Sequence, residues 1–345
     1  VKNFTEMACD WQDRFKVNYW KWDGFANQSQ FNEFAATDAV PAYSATNRHM
    51  TGGYERMYHV TDLWEAWIDL FEAVRLNAEE NNLYRFWISL TCYVIPSPWF
   101  LQWANSVWIQ CSADQADAGP STSKLDKQMT YRDGVYHEFL KQREYQFPAK
   151  NIYNHDPVYG VEGTGMNMNS ATTEQFQNYL YMQSTRGTMF WELYFSDSIM
   201  TDEKYAVTAD FLEWAEKNQD ILSQSKMFGG DPTGSEFNTY GYACFNDTDG
   251  ILSLRNPSNV AQDITFTYDR NIGVKENTNG KYHLEHQYRY SGTAEEKVGE
   301  FVYGETYTIT LQPDEVRLFT ISENGDTTAP VIERAYTDGA NTITV

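Results

Sequence analysis

The chain has 345 residues, 41% hydrophobic and 21% charged, which is enough apolar material for a sizeable core and excludes wholesale disorder. Its 48 acidic and 26 basic residues leave a formal charge of -22, and no run of Lys or Arg reverses that sign locally, so nucleic acid is not an expected partner. No apolar run approaches the roughly 20 residues that a membrane-spanning helix needs, so membrane insertion is not expected either.

Phe4, Met7, Ala8, Trp11 and Phe15 recur at helical spacing and predict an amphipathic helix over residues 1–15. Residues 17–24 (VNYWKWDG) read as a strand ending in a carboxylate and a glycine. A second helix is predicted over 54–80, strands over 84–93 and 106–111, and a helix over 133–145. A short strand follows at 151–153, then a helix over 172–183, a strand over 188–195 (TMFWELYF) and a helix over 202–222. This alternation is the rhythm of a parallel sheet covered by helices, and its five strands end near Asp23, Tyr93, Asp114, Asp156 and Asp197. Sites in such folds are built at the carboxyl ends of strands, and here that rim is acidic.

From about residue 236 the pattern changes to short alternating segments at 240–245, 250–254, 263–268, 306–311 and 316–321, the signature of an antiparallel β-sandwich. The glycine- and proline-rich stretch from Met227 to Gly234 is the expected boundary. The domain reading is therefore 1–228 for an α/β part, 236–322 for the sandwich, and 323–345 for a linker and the start of a further β domain. The first helix opens without a preceding strand, so both ends read as cut from a longer chain.

Eleven Trp, 24 Tyr and 20 Phe make the chain 16% aromatic, a composition that suits stacking on the apolar faces of sugars as well as ordinary core. Among them Trp99, Trp103 and Trp108 form a candidate platform, with core the expected role for two of the three. The four cysteines lack CxxC spacing, so neither a zinc knuckle nor a disulfide scaffold is encoded. His155 and Asp156 have no second histidine at ligand spacing, and no metal is expected there.

Two carboxylates can split a glycosidic bond, one attacking the anomeric carbon and the other protonating the departing oxygen. Asp23 suits the first role, since it ends a strand and Lys21 lies two residues earlier on the same face. Asp114 in Ser112–Ala118 (SADQADA) is the second candidate; the plainer readings are a loop acid and a helix-capping turn.

Together these segments carry a resemblance. Tyr19-Trp20-Lys21-Trp22-Asp23 resembles the nucleophile strand of the α-galactosidase and α-N-acetylgalactosaminidase clan, glycoside hydrolase families 27 and 36. Ser112–Ala118 is similar to the acid/base segment of family 36, and Ala104–Trp108 to the Asn-x-Trp approach of family 27. The resemblance spans residues 1 to about 321. It implies the C-terminal part of a (β/α)8 TIM barrel followed by an antiparallel β-sandwich, with the N-terminal barrel strands supplied by an upstream segment in the same or another chain.

It also implies a retaining exo-glycosidase that releases terminal α-linked galactose or N-acetylgalactosamine, with Asp23 as nucleophile and Asp114 as acid/base. Lys21 would donate to sugar hydroxyls beside Trp22, Trp108, His155 and Asp156. Cys92, otherwise a core thiol, would lie near the sugar's 2-substituent. No cofactor is required, and the partner is a carbohydrate substrate. The clan's arginine four residues before the acid/base is Gln110 here, so either another donor such as Arg132 supplies the contact or the substrate differs at that hydroxyl. That departure favours the alternative of a non-catalytic glycan-binding adhesin with a degenerate barrel. The acidic balance and modular linker suggest a secreted or cell-envelope bacterial protein.

Overall fold

The structure is a computed structural model that describes residues 2–23, 57–91, 96–109, 112–161, 168–276, 278–285, 298–322, 336–337 and 343–344. Helix α1 (Lys2–Phe15) leads into strand β1 (Tyr19–Asp23), and α2 (Met57–Glu80) into β2 (Trp87–Thr91). Strand β3 (Ser106–Trp108) precedes α3 (Lys124–His137), which continues as a π-helical turn to Gln142. Strands β4 (Ile152–Tyr153) and β5 (His155–Tyr159) follow, then α4 (Thr173–Ser184), β6 (Glu192–Phe195), α5 (Asp202–Lys217) and α6 (Gln219–Leu222).

Strands β1 to β4 pair side by side in sequence order and all in parallel, and β5 pairs with β6 in parallel too. The strand predicted to end near Asp156 is thus two short strands divided at Asn154.

Alternation along these strands sorts side chains between two faces. Trp22, Ile88, Leu90, Val107 and Ile152 turn outward into a core shared with Leu70, Phe71 and Val74 of α2 and with Tyr136 of α3. Tyr19, Lys21, Ser89, Ser106 and Tyr153 occupy the alternate positions, where Ser89 and Ser106 share a 2.7 Å hydrogen bond and Tyr19 stacks on Phe190. Helix α1 buries Ala8 and Gln12, whose amide donates to the Val74 carbonyl at 3.0 Å. Its large apolar side chains are a different matter: Met7, Trp11 and Phe15 are exposed, so the predicted stripe is not the buried face.

The antiparallel strands are β7 (Ser225–Gly229), β8 (Tyr240–Phe245), β9 (Asp249–Arg255), β10 (Gln262–Thr267), β11 (Gly280–Glu285), β12 (Val298–Phe301), β13 (Thr306–Leu311) and β14 (Val316–Ser322). Six of them form one sheet in the order β12-β11-β14-β9-β8-β7, and β10 pairs with β13. Two further short strands, β15 (Tyr336–Thr337) and β16 (Ile343–Thr344), pair with each other.

The large sheet is buried on both sides. Tyr242, Cys244, Ile251 and Leu318 face Tyr181, Met182 and Leu222 of the helical layer, while Phe245, Leu252, Leu254 and Phe319 face Ile264, Phe266 and Leu311 of the β10–β13 pair. Residues 227–234 cover the end of one strand and the turn that follows it. Ser225–Gly229 is an edge strand of the sheet, and the glycines and proline after it make the turn to β8. Gly229 has φ 88°, and a Cβ there would meet the Tyr240 Cα at 2.7 Å, so both conformation and crowding require glycine.

Helix α3 starts nine residues before its predicted position. Ser123 caps it by accepting from the Asp126 amide. The sequence KLDKQMTYRD shows no apolar stripe because α3 is buried on almost every side, and its polar residues find partners far along the chain.

Asp133 accepts from Arg186 Nε at 2.7 Å, from the Tyr242 hydroxyl at 2.8 Å and from the Tyr240 hydroxyl. Arg186 also pairs with Asp156, which in turn accepts from the Tyr179 hydroxyl. Arg255 donates to Thr130 Oγ1 at 2.8 Å and to the Asp126 carbonyl at 3.0 Å.

Removing one partner of a buried pair leaves the other charge uncompensated. Asp133→Ala is therefore expected to lower stability by about 3–5 kcal/mol, measured as the shift of the urea unfolding midpoint at unchanged slope. The Asp126 carboxyl is pushed up to about 6 from its ordinary 3.8 by burial, with Asp314 adding to the effect and Arg255 opposing it. The folded state then holds this proton more tightly than the unfolded chain, so its contribution is full below pH 4 and is lost as pH rises to about 6. Roughly 2–3 kcal/mol of stability should disappear across that window, and Asp126→Asn should abolish the decline.

Candidate functional site

Lys21 lies one pleat below Asp23 on β1, and Glu192 one pleat below Tyr194 on β6, all on the face turned from the helices. Glu192 binds these strands together. Lys21 Nζ sits 3.1 Å from Oε1 and 3.2 Å from Oε2, the Tyr19 hydroxyl donates to Oε1 at 3.2 Å, and the Tyr194 hydroxyl to Oε2 at 3.3 Å. His155 Nδ1 is hydrogen-bonded to Oε2. Burial alone would raise the Glu192 pKa, but hydrogen bonds and charge from His155 and Lys21 outweigh it and hold the carboxyl below its ordinary value. Glu192 is therefore a fixed anion and an unsuitable proton donor.

Aromatic rings surround this ionic group. The His155 ring lies 4.5 Å from Trp108 and 4.7 Å from Tyr194, and Lys21 Nζ stands over the Tyr153 ring at 5.8 Å. The Tyr153 hydroxyl shares a 2.6 Å hydrogen bond with Thr91 Oγ1 at the end of β2. Trp108 also carries Arg132, whose guanidinium stands 5.6 Å over the ring. Arg132 is buried, and it donates to Ser112 Oγ at 3.0 Å and to the carbonyls of Ala113 at 3.2 Å and Asp114 at 2.6 Å. Burial lowers its pKa, and among the described residues no carboxylate lies within ion-pair distance. The Tyr131 hydroxyl meets the Ala113 amide at 2.7 Å, so the segment carrying Asp114 is held through its backbone.

The sequence-predicted residues divide accordingly. Lys21, Trp108 and His155 come together around Glu192. Asp23 is the exposed last residue of β1, and Asp114 is exposed in the segment that follows β3. Trp22 is corrected: it alternates with Lys21, stacks on Trp20 and Phe71 at 5.6 and 5.1 Å, and belongs to the helix-facing core. Asp156 is buried, bonded by Arg186 and Tyr179 on the face of β5 opposite His155, and does not join the group around Glu192.

Cys92 and Gln110 lie outside the described residues. Arg132 reaches the Asp114 segment but engages its backbone. Trp99 and Trp103 pack edge to face at 4.6 Å on the helical side, away from this group. Glu192, the residue the site is organised around, was not singled out from sequence, although a lone acid inside TMFWELYF is the signal that could have found it.

No group of three or more metal-ligating side chains occurs among the described residues, and no described helix is long and apolar enough to cross a membrane. A cavity of about 580 Å³ opens elsewhere, between Asp126, Glu174 and Asn178 on one side and Gln312 to Arg317 on the other, and none of the predicted site residues lines it.

No family model matches the chain, and no curated protein matches it. Solved structures do. A family 27 β-L-arabinopyranosidase from Geobacillus stearothermophilus superposes with a TM-score of 0.51 at 10% identity, over 94% of this chain and 62% of its own. α-Galactosidase I from Mortierella vinacea gives 0.50 at 13% identity, over 93% and 72%. An α-amylase from Geobacillus thermoleovorans gives 0.50 at 9% identity, over 93% and 65%. This chain thus spans under two thirds of the arabinopyranosidase and of the amylase. At such identities the likeness shows the fold alone, and that fold is shared with glycoside hydrolases, including members of the clan that the Tyr19–Asp23 and Ser112–Ala118 segments resemble.

Proposed function

We propose that the chain is the greater part of a retaining exo-glycosidase acting on terminal α-linked galactose or N-acetylgalactosamine. The observation that carries the reading is Lys21, fixed by Glu192 on the same strand face that ends in Asp23. A positive charge beneath a carboxylate at the carboxyl end of a parallel strand is the arrangement a sugar-binding nucleophile needs. In this reading Asp23 attacks the anomeric carbon while Asp114 protonates the departing oxygen. Water, deprotonated by Asp114, then hydrolyses the glycosyl-enzyme with net retention. A further segment, in the same or another chain, completes a (β/α)8 barrel, and the antiparallel sheets form its C-terminal sandwich.

Nitrophenyl α-galactoside and α-N-acetylgalactosaminide test the assignment. Asp23→Asn is expected to reduce nitrophenol release by about three orders of magnitude or more. Asp114→Ala should slow turnover by about 10²–10⁴-fold and lower KM, because nitrophenol departs without an acid and the glycosyl-enzyme accumulates. Azide, which needs no general base, should restore much of that turnover. Glycan binding with no release from either substrate would sink the hydrolytic reading and leave an adhesin.

Arg132 serves Asp114 by holding its backbone, a task that needs the planar fork of a guanidinium. Arg132→Lys should therefore loosen residues 112–118, seen as faster amide hydrogen exchange there, with slower turnover at little change in KM.

A further inference from the structure

We propose that Glu192 is a positioning residue: it fixes His155 as the Nδ1–H tautomer, so that His155 Nε2 accepts a hydrogen bond from a hydroxyl of the bound sugar. This rests on the reading that a glycoside binds at the carboxyl ends of the strands. The two Glu192 oxygens receive Tyr19, Lys21, His155 and Tyr194, which fills the roughly four lone-pair sites of a carboxylate. A carboxylate so occupied has no capacity left for substrate. Its effect on a ligand passes through the groups that it holds.

His155 is the one of these with an atom to spare. The ring nitrogen bonded to an anionic carboxylate carries a proton, and when the ring holds no second proton the other nitrogen is an acceptor. Among the described residues Nε2 has no hydrogen-bond partner, and the side chain keeps 16% of its exposure. The ring packs against Trp108 at 4.5 Å and Tyr194 at 4.7 Å, and these contacts restrain its orientation. His155 is also linked to both acid-bearing strands: Glu192 ties it to Lys21 of β1, and Trp108 ties it to β3, which leads to Asp114. Lys21 offers a donor and Nε2 an acceptor, a complementary pair for sugar hydroxyls, each of which can donate and accept.

Nitrogen-15 NMR of histidine-labelled full chain tests this in mildly alkaline solution, with the His155 resonances assigned by their loss in His155→Phe. The expected wild-type spectrum shows a protonated Nδ1 and an unprotonated Nε2, and added galactose or N-acetylgalactosamine shifts Nε2. Glu192→Gln should mix the tautomers, and both variants should weaken sugar binding by about tenfold, the scale of one hydrogen bond with a charged or well-oriented partner.

A wild-type Nε2–H tautomer overturns the proposal whether or not Glu192→Gln folds. So does sugar affinity unchanged in a folded His155→Phe protein. Sugar binding that shifts Nε2 without any hydrolysis overturns the hydrolytic reading and supports this one. Hydrolysis without a shift of Nε2 overturns this one alone, and neither binding nor hydrolysis overturns both.

Discussion

Arg186 is the point on which the two halves of the structure are joined. It is buried beyond solvent reach, and it compensates two carboxylates at once, Asp133 on α3 and Asp156 on β5. Burial works against its charge, but Asp133 and the surrounding tyrosine hydroxyls more than restore it, so the guanidinium is held above its ordinary pKa. Asp133 carries this ionic group across into the antiparallel sheet through Tyr240 and Tyr242 of β8. An ion pair of this kind adds less to net stability than its Coulomb energy suggests, since both charges lose their water. Its larger effect is on specificity: few other packings of α3, β5 and β8 would satisfy the same three charges.

The candidate site depends on that join indirectly. Asp156 lies next to His155, which points to Glu192 from the opposite face of β5. Fixing Asp156 therefore fixes His155. Likewise Arg132 and Asp133 are neighbours on α3, one holding the Asp114 backbone and the other the sheet. The same two elements that lock the sheet to the parallel strands orient groups around the proposed sugar site.

Much of this was legible in the sequence, and the exceptions share a cause. Short β-branched and aromatic runs bounded by turn residues, glycines or acids located β1, β2, β3 and most of the antiparallel strands, a local signal that holds even where both faces are buried. The Lys21-x-Asp23 spacing placed both on one face, as observed. Helix α3 was begun late because its polar residues are paid for by tyrosines and arginines over a hundred positions away, and no local rule reaches that far. Asp156 and Trp22 were misassigned for the same reason: a carboxylate or an indole near a strand end is read as available until its buried partner is known. Glu192 carries no such terminal signal, since it sits at the start of β6 and acts through partners on other strands.

The double burial of β8 has an evolutionary corollary. C-terminal β domains are commonly regarded as interchangeable appendages, yet here Tyr240 and Tyr242 complete a charge group whose other members stand at positions 133, 156 and 186. A recombination event that swapped the sheet while leaving those three behind would strand an anion in a dry interior. Exchanging the sheet without harm would require a replacement that also brings tyrosines to the places of Tyr240 and Tyr242.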